Sequence, residues 1–185
     1  QRLCLLPRNA RSLFVADTVE KELLDSAEQD KAKAVQMAER LELTPLLARH
    51  PYDLSGGEIQ RLAVGKLLLR EATVLLLDEP TSFLDIKGKI ELLTILKELA
   101  HGEHLAVVLS LHELELAQKI ADAVVCVSPA GVSGVLTPDA AFAPENIRAL
   151  YGLTEEQYTA LYGAPEPPKP EANPAGPQFE HTICN

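Results

Sequence analysis

The stretch that most constrains the fold is Val74-Leu75-Leu76-Leu77-Asp78-Glu79-Pro80. Its apolar residues do not alternate with polar ones, so a strand over residues 73–77 needs cover on both faces. That is the condition of a parallel sheet packed between helices. Two adjacent carboxylates close the strand, and Pro80 has no N–H with which to continue the ladder. In open parallel sheets ligands collect outside the carboxyl ends of the strands. One carboxylate there can serve Mg²⁺, which takes few protein ligands and keeps several waters. The next can orient or deprotonate an attacking water. An isolated Asp-Glu pair is more often two solvated acids, so the surrounding pattern has to decide.

That pattern alternates helix and strand. Residues 3–6 read as a short apolar strand, broken by Pro7-Arg8-Asn9. Thr18 reads as the N-cap of a helix over 19–24, and residues 30–43 set Ala34, Met37, Ala38 and Leu41 at helical spacing. Further helices are predicted over 56–70, 86–100 and 113–121, with strands over 105–109 and 123–127 and an edge strand over 131–136. Short helices over 144–151 and 154–162 follow. The rhythm predicts a layered α/β domain with a parallel core sheet and right-handed crossovers. From residue 164 the composition changes: Pro165, Pro167, Pro168, Pro170, Pro174 and Pro177 crowd a polar segment, and residues 164–185 are expected to be a disordered tail.

Composition narrows the function. Apolar residues make up 46% of the 185, ample for a core. A net charge of −10 argues against nucleic acid as the main partner, because duplex binding rests on clustered Lys and Arg. No apolar run approaches the ~20 residues that span a bilayer. Cys4, Cys126 and Cys184 have neither paired nor metal-like spacing and read as thiols in a reducing compartment.

Three other stretches carry possible chemistry. In Leu54-Ser55-Gly56-Gly57-Glu58-Ile59-Gln60-Arg61, two glycines open a helix. A helix N-terminus offers free N–H groups and a positive dipole end, and glycine lets a phosphate come close; a Ser-capped helix after a turn explains Ser-Gly-Gly alone equally well. Thr81-Ser82-Phe83-Leu84-Asp85 leads into the next helix, which Asp85 could simply cap. Val107-Val108-Leu109-Ser110-Leu111-His112-Glu113 brings a strand to a histidine, a residue more often structural than functional in that place.

Together, in this order and on these elements, the stretches resemble the ABC ATPase family over roughly residues 3–136. Residues 54–60 look like its signature motif, residues 74–79 like Walker B with the catalytic Glu, residues 82–85 like the D-loop, and His112 like the switch histidine. The resemblance implies a P-loop NTPase-like layered domain with a helical signature subdomain over about 18–70 and a catalytic core over about 71–137. It implies ATP and Mg²⁺ as cofactors. Asp78 would hold the metal through water, Glu79 would be the general base, and His112 would sense the γ-phosphate. Ser55, Gly56, Gly57 and Gln60 would face nucleotide held by a partner domain in a head-to-tail dimer, and Asp85 would couple the two sites. The implied protein is the ATP-hydrolysing subunit of a membrane importer, docked under a permease at the cytoplasmic face.

Two departures stand out. No G-x-x-x-x-G-K-[ST] occurs in the chain, so a Walker A motif is expected upstream of Gln1, before the Q-loop, and the chain alone is expected to be inactive. Leu6-Pro7-Arg8-Asn9 resembles the Q-loop with Arg8 where Gln is expected, and a cation there should repel the metal. Phe14 to Val19 and His50-Pro51-Tyr52-Asp53 resemble energy-coupling-factor importers, whereas residues 110–117 look more like importers of iron complexes and cobalamin. Both are micronutrient importers. Two alternatives stay open: a degenerate module lending only its signature face to a competent partner, and a soluble ABC ATPase outside transport.

Overall fold

A computed structural model describes residues 2–102, 105–129 and 131–163. The expected tail over 164–185 lies outside the described residues. Three strands, β1 (Leu3–Leu6), β2 (Val74–Leu77) and β3 (Ala106–Leu109), form a parallel sheet in the order β1-β2-β3. The register sets Leu6 opposite Leu77 and Leu77 opposite Leu109, so all three strands end at one level. β2 is central, as its apolar run requires. Its cover is unequal: Leu75 and Leu77 are buried while Val74 and Leu76 are half-buried. Leu3, Leu5 and Val108 are exposed. The expectation of a strand buried on both faces therefore holds fully for one face only.

Between β1 and β2 the chain builds a helical layer. After a 3-10 turn (Ala10–Leu13), α1 (Val19–Ser26) starts at Thr18, whose side chain accepts from the Lys21 N–H at 3.3 Å. α2 (Lys31–Arg40) is capped by Asp30, which accepts from the N–H groups of Ala32 and Lys33 at 3.0 and 3.1 Å. α3 (Gly56–Leu69) is buried along most of its length, and its Leu62, Ala63 and Val64 are fully enclosed. A helix in that position has little polar face, and the two cations it buries, Arg61 and Lys66, have to be neutralised; Arg61 pairs with Glu91 at 3.2 Å. Lys66 pairs with Glu22 of α1, itself fully buried, and donates to the Leu13 carbonyl at 2.7 Å. The other Glu22 oxygen accepts from the N–H groups of Val15 and Ala16 at 2.5 and 2.6 Å. One ion pair thus ties α1, α3 and the loop after β1 together.

α4 (Ile86–Gly102) connects β2 to β3 and brings Leu92, Leu93, Leu96 and Leu99 into the core. α5 (Leu114–Ile120) follows β3. Among the described residues, those up to 123 form one compact unit and those from 124 to 163 a second. The strand expected over 123–127 does not join the parallel sheet. In its place stand β4 (Val127–Ser128) and β5 (Gly131–Val132), a short antiparallel pair, and a lone bridge from Val124 to Leu136. Ser128-Pro129 breaks the run soon after it begins, and with it the period that suggested a fourth parallel strand. The edge strand expected over 131–136 shrinks to β5 and that bridge. α6 (Pro138–Ala141), which was not anticipated, precedes α7 (Pro144–Tyr151) and α8 (Glu155–Tyr162).

The two faces of the sheet should respond differently to truncation. Leu75→Ala, at a fully buried position, should cost about 2–5 kcal/mol. Leu5→Ala, on the exposed face, should stay within about 1 kcal/mol in denaturant unfolding. Equal losses would contradict the one-sided packing.

Candidate active site

The common ending level of β1, β2 and β3 gathers residues from three loops at one edge. Asp78 and Glu79 leave β2, Ser110 and His112 leave β3, and Arg8 leaves β1 two residues past Leu6. Glu79 is the hub. Its Oε1 lies 2.6 Å from His112 Nε2, and its Oε2 lies 2.5 Å from Arg8 Nη2 and accepts from the Ser82 hydroxyl at 2.9 Å. The Glu79 side chain is 16% exposed, against 79% for His112 and 57% for Arg8. The carboxylate is therefore fixed, while the two cationic or basic partners reach it from solvent. Hydrogen bonds from His112 and then Ser82 hold the Glu79 carboxyl below the ordinary carboxylate range, with Arg8 adding in the same direction.

The Glu79 backbone is unusual too. Its φ of +46° lies in the left-handed region, which costs a non-glycine residue roughly 1–2 kcal/mol. Two contacts hold it there: its N–H donates to Ser110 Oγ at 2.8 Å, and its carbonyl accepts from the Ser82 N–H at 3.2 Å. The Ser110 hydroxyl in turn donates to Asp78 Oδ1 at 3.1 Å. Ser110 thus sets both acids of the pair with one hydroxyl. Behind them Glu113 accepts from Thr81 Oγ1 at 3.4 Å and pairs with Lys89 of α4, so the chain on either side of the site is anchored to the same helix.

Sequence reasoning named Asp78, Glu79, His112 and Arg8, and the structure brings these four together. It missed Ser110, Ser82 and the Thr81–Glu113–Lys89 set. The signal for Ser110 was available, because the pairing of Leu77 with Leu109 puts residue 110 beside residues 78 and 79. Arg8 requires a correction: its guanidinium engages Glu79 directly, so its first effect falls on the carboxylate expected to act as base.

The signature residues form a separate helix start. Ser55 and Glu58 make a reciprocal capping box on α3, with Ser55 N–H to Glu58 Oε2 at 2.7 Å. Gly56 is required by proximity: a Cβ there would lie 3.1 Å from Leu84 Cδ2 and 3.2 Å from the Phe83 carbonyl. At Gly57 a Cβ would only touch Gly88, 4.0 Å from its Cα, so the close approach rests on Gly56. Gly56 thus lets the signature turn pack on the loop before α4. Asp85 in that loop accepts from the Gly88 N–H at 2.8 Å, a capping bond on α4. Gln60, expected to face nucleotide, is 6% exposed. One turn into α3 the helix is already enclosed, so Gln60 belongs to the interior and the open part of the motif is Ser55-Gly56.

A divalent cation fits the acid pair only in an open form. Among the described residues no group of three or more His, Cys, Asp or Glu is placed to hold a metal. Asp78 is exposed at the strand end with one oxygen turned to Ser110. That suits Mg²⁺, which binds through one or two carboxylates and completes its shell with water and substrate phosphate.

Comparisons with known proteins agree with this architecture. The family model described as ABC transporter matches residues 1–82. An uncharacterized ABC transporter ATP-binding protein of Methanocaldococcus jannaschii is 37% identical over 136 residues, which is 74% of this chain and 47% of the relative. The cobalamin import ATP-binding protein of Halobacterium salinarum is 38% identical over 127 residues, 69% of this chain and 31% of the relative. A metal-chelate type ABC transporter solved in an inward-facing conformation superposes with a TM-score of 0.72 at 25% identity, covering 83% of this chain and 64% of that one. The fold is the layered α/β arrangement of the solved ABC transporter on which it superposes, with Asp78 and Glu79 at the carboxyl edge of its sheet. The chain is similar to ABC transporter ATP-binding proteins, and it spans about half or less of the length of these two sequence relatives.

The paired acids predict acid sensitivity. Hydrogen bonding from Lys89 holds the Glu113 carboxyl below the ordinary value of 4.5, as His112 and Ser82 do for Glu79. A carboxyl whose pKa is lower in the folded state adds stability that is fully present above its unfolded value and is lost as pH falls through the folded value. Thermal melting should therefore weaken below about pH 4.5, and Glu113→Gln should flatten part of that fall. An identical pH dependence in the variant would remove the Lys89 pair from the account.

Proposed function

We propose that this protein contributes the ATP-hydrolysing motor of a membrane importer for a micronutrient: a vitamin, a transition metal, an iron complex or cobalamin. The observation that carries the reading is the three-loop convergence on Glu79, with Asp78 beside it and His112 on its outer oxygen. Asp78 would hold Mg²⁺ through water, and the metal when bound would supply charge neutralisation at the phosphates. Glu79 would take the proton of the attacking water. His112, 79% exposed, is free to turn from the carboxylate toward a γ-phosphate. Ser55 and the N–H groups of Gly56 and Gly57 would meet nucleotide held by a second ATPase domain, identical or paralogous, in a head-to-tail dimer. Asp85 would link the two sites through its contact with the loop on which Gly56 rests.

The importer assignment draws on what its relatives are named for: cobalamin import in one, a metal-chelate transporter in another. A permease partner and a peripheral place at the cytoplasmic membrane face follow from that reading. No described helix is long and apolar enough to cross a membrane. A second reading, a module that lends only its signature face, is favoured by Arg8 on Glu79.

One experiment separates them. With the phosphate-binding loop of an ABC relative joined ahead of Gln1, the protein should hydrolyse MgATP. Glu79→Gln should keep nucleotide binding and lose about 10²-fold or more in turnover. His112→Ala should lower turnover with an almost unchanged melting temperature. Undiminished turnover in Glu79→Gln refutes the general base, and no turnover in any version leaves the signature-only module. The 185-residue chain by itself should bind MgATP weakly or not at all, since the loop N–H groups and Lys that cradle the β- and γ-phosphates are missing from its sequence. Calorimetric titration giving a micromolar dissociation constant would contradict that.

A further inference from the structure

Arg8 is the residue that family resemblance explains least. It occupies the position that the resemblance gives to a neutral amide, and its guanidinium lies 2.5 Å from Glu79 Oε2. With His112 on Oε1 and Ser82 also on Oε2, both oxygens of the carboxylate are engaged. A base in that state already shares both oxygens with protein partners and has fewer lone pairs left for a water. The other cation close by, Lys89, is committed to Glu113 and does not compete for Glu79. We propose that Arg8 is a resting-state latch: its guanidinium occupies the general base, keeps a free divalent cation off the Asp78–Glu79 pair, and leaves when a polyphosphate anion draws it away. The inference rests on the reading of Glu79 as the base and adds a regulatory contact to it.

Three features make the contact a latch rather than a fixed strut. The Arg8 side chain is 57% exposed, so its release opens no cavity. Its anchor is separate from its head: Leu6 is 1% exposed and pins the end of β1, and Pro7 stiffens the step to Arg8, while the guanidinium is held by the Glu79 pair. Charge sets the direction of the switch. Asp78 and Glu79 together carry two negative charges, and Arg8 cancels one of them. A divalent ion arriving alone meets about half the attraction it would otherwise feel, the repulsion from the guanidinium cancelling the rest. Mg²⁺ arriving on a triphosphate brings its own anion, for which a guanidinium is a good partner. The site thus favours the metal–nucleotide complex over the metal.

The chain itself supports the test, with Mn²⁺ as the probe and broadening of the Asp78, Glu79 and Ser110 amide signals as the readout. Arg8→Gln should bind Mn²⁺ roughly five- to tenfold more tightly than wild type, the range expected for losing one partly exposed charge near a divalent ion. Arg8→Lys should stay close to wild type. Mn²⁺ affinity within twofold of wild type in Arg8→Gln, or weaker, overturns the latch. A second measurement needs no variant of Arg8. In wild type the Arg8 side-chain N–H signals should show the slow exchange of a paired guanidinium, and tripolyphosphate or Glu79→Gln should abolish it. Signals already averaged in the untreated wild type overturn the latch as well. Both readouts are independent of hydrolysis: normal turnover in Glu79→Gln would remove the base assignment and leave the measured Arg8 contact standing.

Discussion

β2 is hydrogen-bonded on both sides, and its parallel register with β1 and β3 fixes where Arg8, Asp78, Glu79, Ser110 and His112 meet. Parallel strands in register end at the same edge, so the residues that follow them meet without any further instruction. Residue 8 follows β1, residues 78 and 79 follow β2, and residues 110 and 112 follow β3. A slip of β3 by one residue would turn Ser110 away from the acids and Leu111 toward them. The apolar run of β2 is what protects that register: Leu75 and Leu77 are buried against the helical layer, and a shifted strand would expose them.

The helical layer depends on a second device, the buried Lys66–Glu22 pair. Neither charge reaches water, yet each has hydrogen-bonding partners besides the other: the Leu13 carbonyl for Lys66, and the Val15 and Ala16 N–H groups for Glu22. A buried pair satisfied in this way is costly to break from either side, because one uncompensated charge would remain. Its consequence is positional. It ties the loop that follows Arg8 to α1 and α3, so the segment leaving β1 is held at both ends, by Leu6 in the sheet and by residues 13–16 under α1.

How much could be read from sequence alone follows from the range of the interactions. The strand of residues 74–77, the caps Thr18 and Ser55, and the acids at the strand end are local patterns, and they stand where periodicity and capping chemistry put them. Family resemblance supplied His112 and Arg8 as site residues, which spacing alone could not. Ser110 required knowing the strand register, a long-range fact, and the Lys66–Glu22 pair required knowing which helix faces meet. That Gln60 is enclosed while Ser55 is open could not be read from the motif as a string, because burial along α3 changes within one turn. The strand expected over 123–127 failed for a related reason: an apolar stretch of that length suits a parallel sheet or a short hairpin equally well, and its tertiary partners chose the hairpin.

The central claim is that the end of β3 builds the site around Glu79, holding its left-handed backbone through Ser110. Hydrogen exchange of the Glu79 amide measures this directly. The account predicts a protected amide in the wild-type chain whose exchange accelerates about tenfold in Ser110→Ala, the factor matching the roughly 1.4 kcal/mol of one lost hydrogen bond. A Glu79 amide that exchanges freely in the wild type, or at the same rate in both, would mean that β3 does not set Glu79 and that the convergence of the three loops is not what positions its carboxylate.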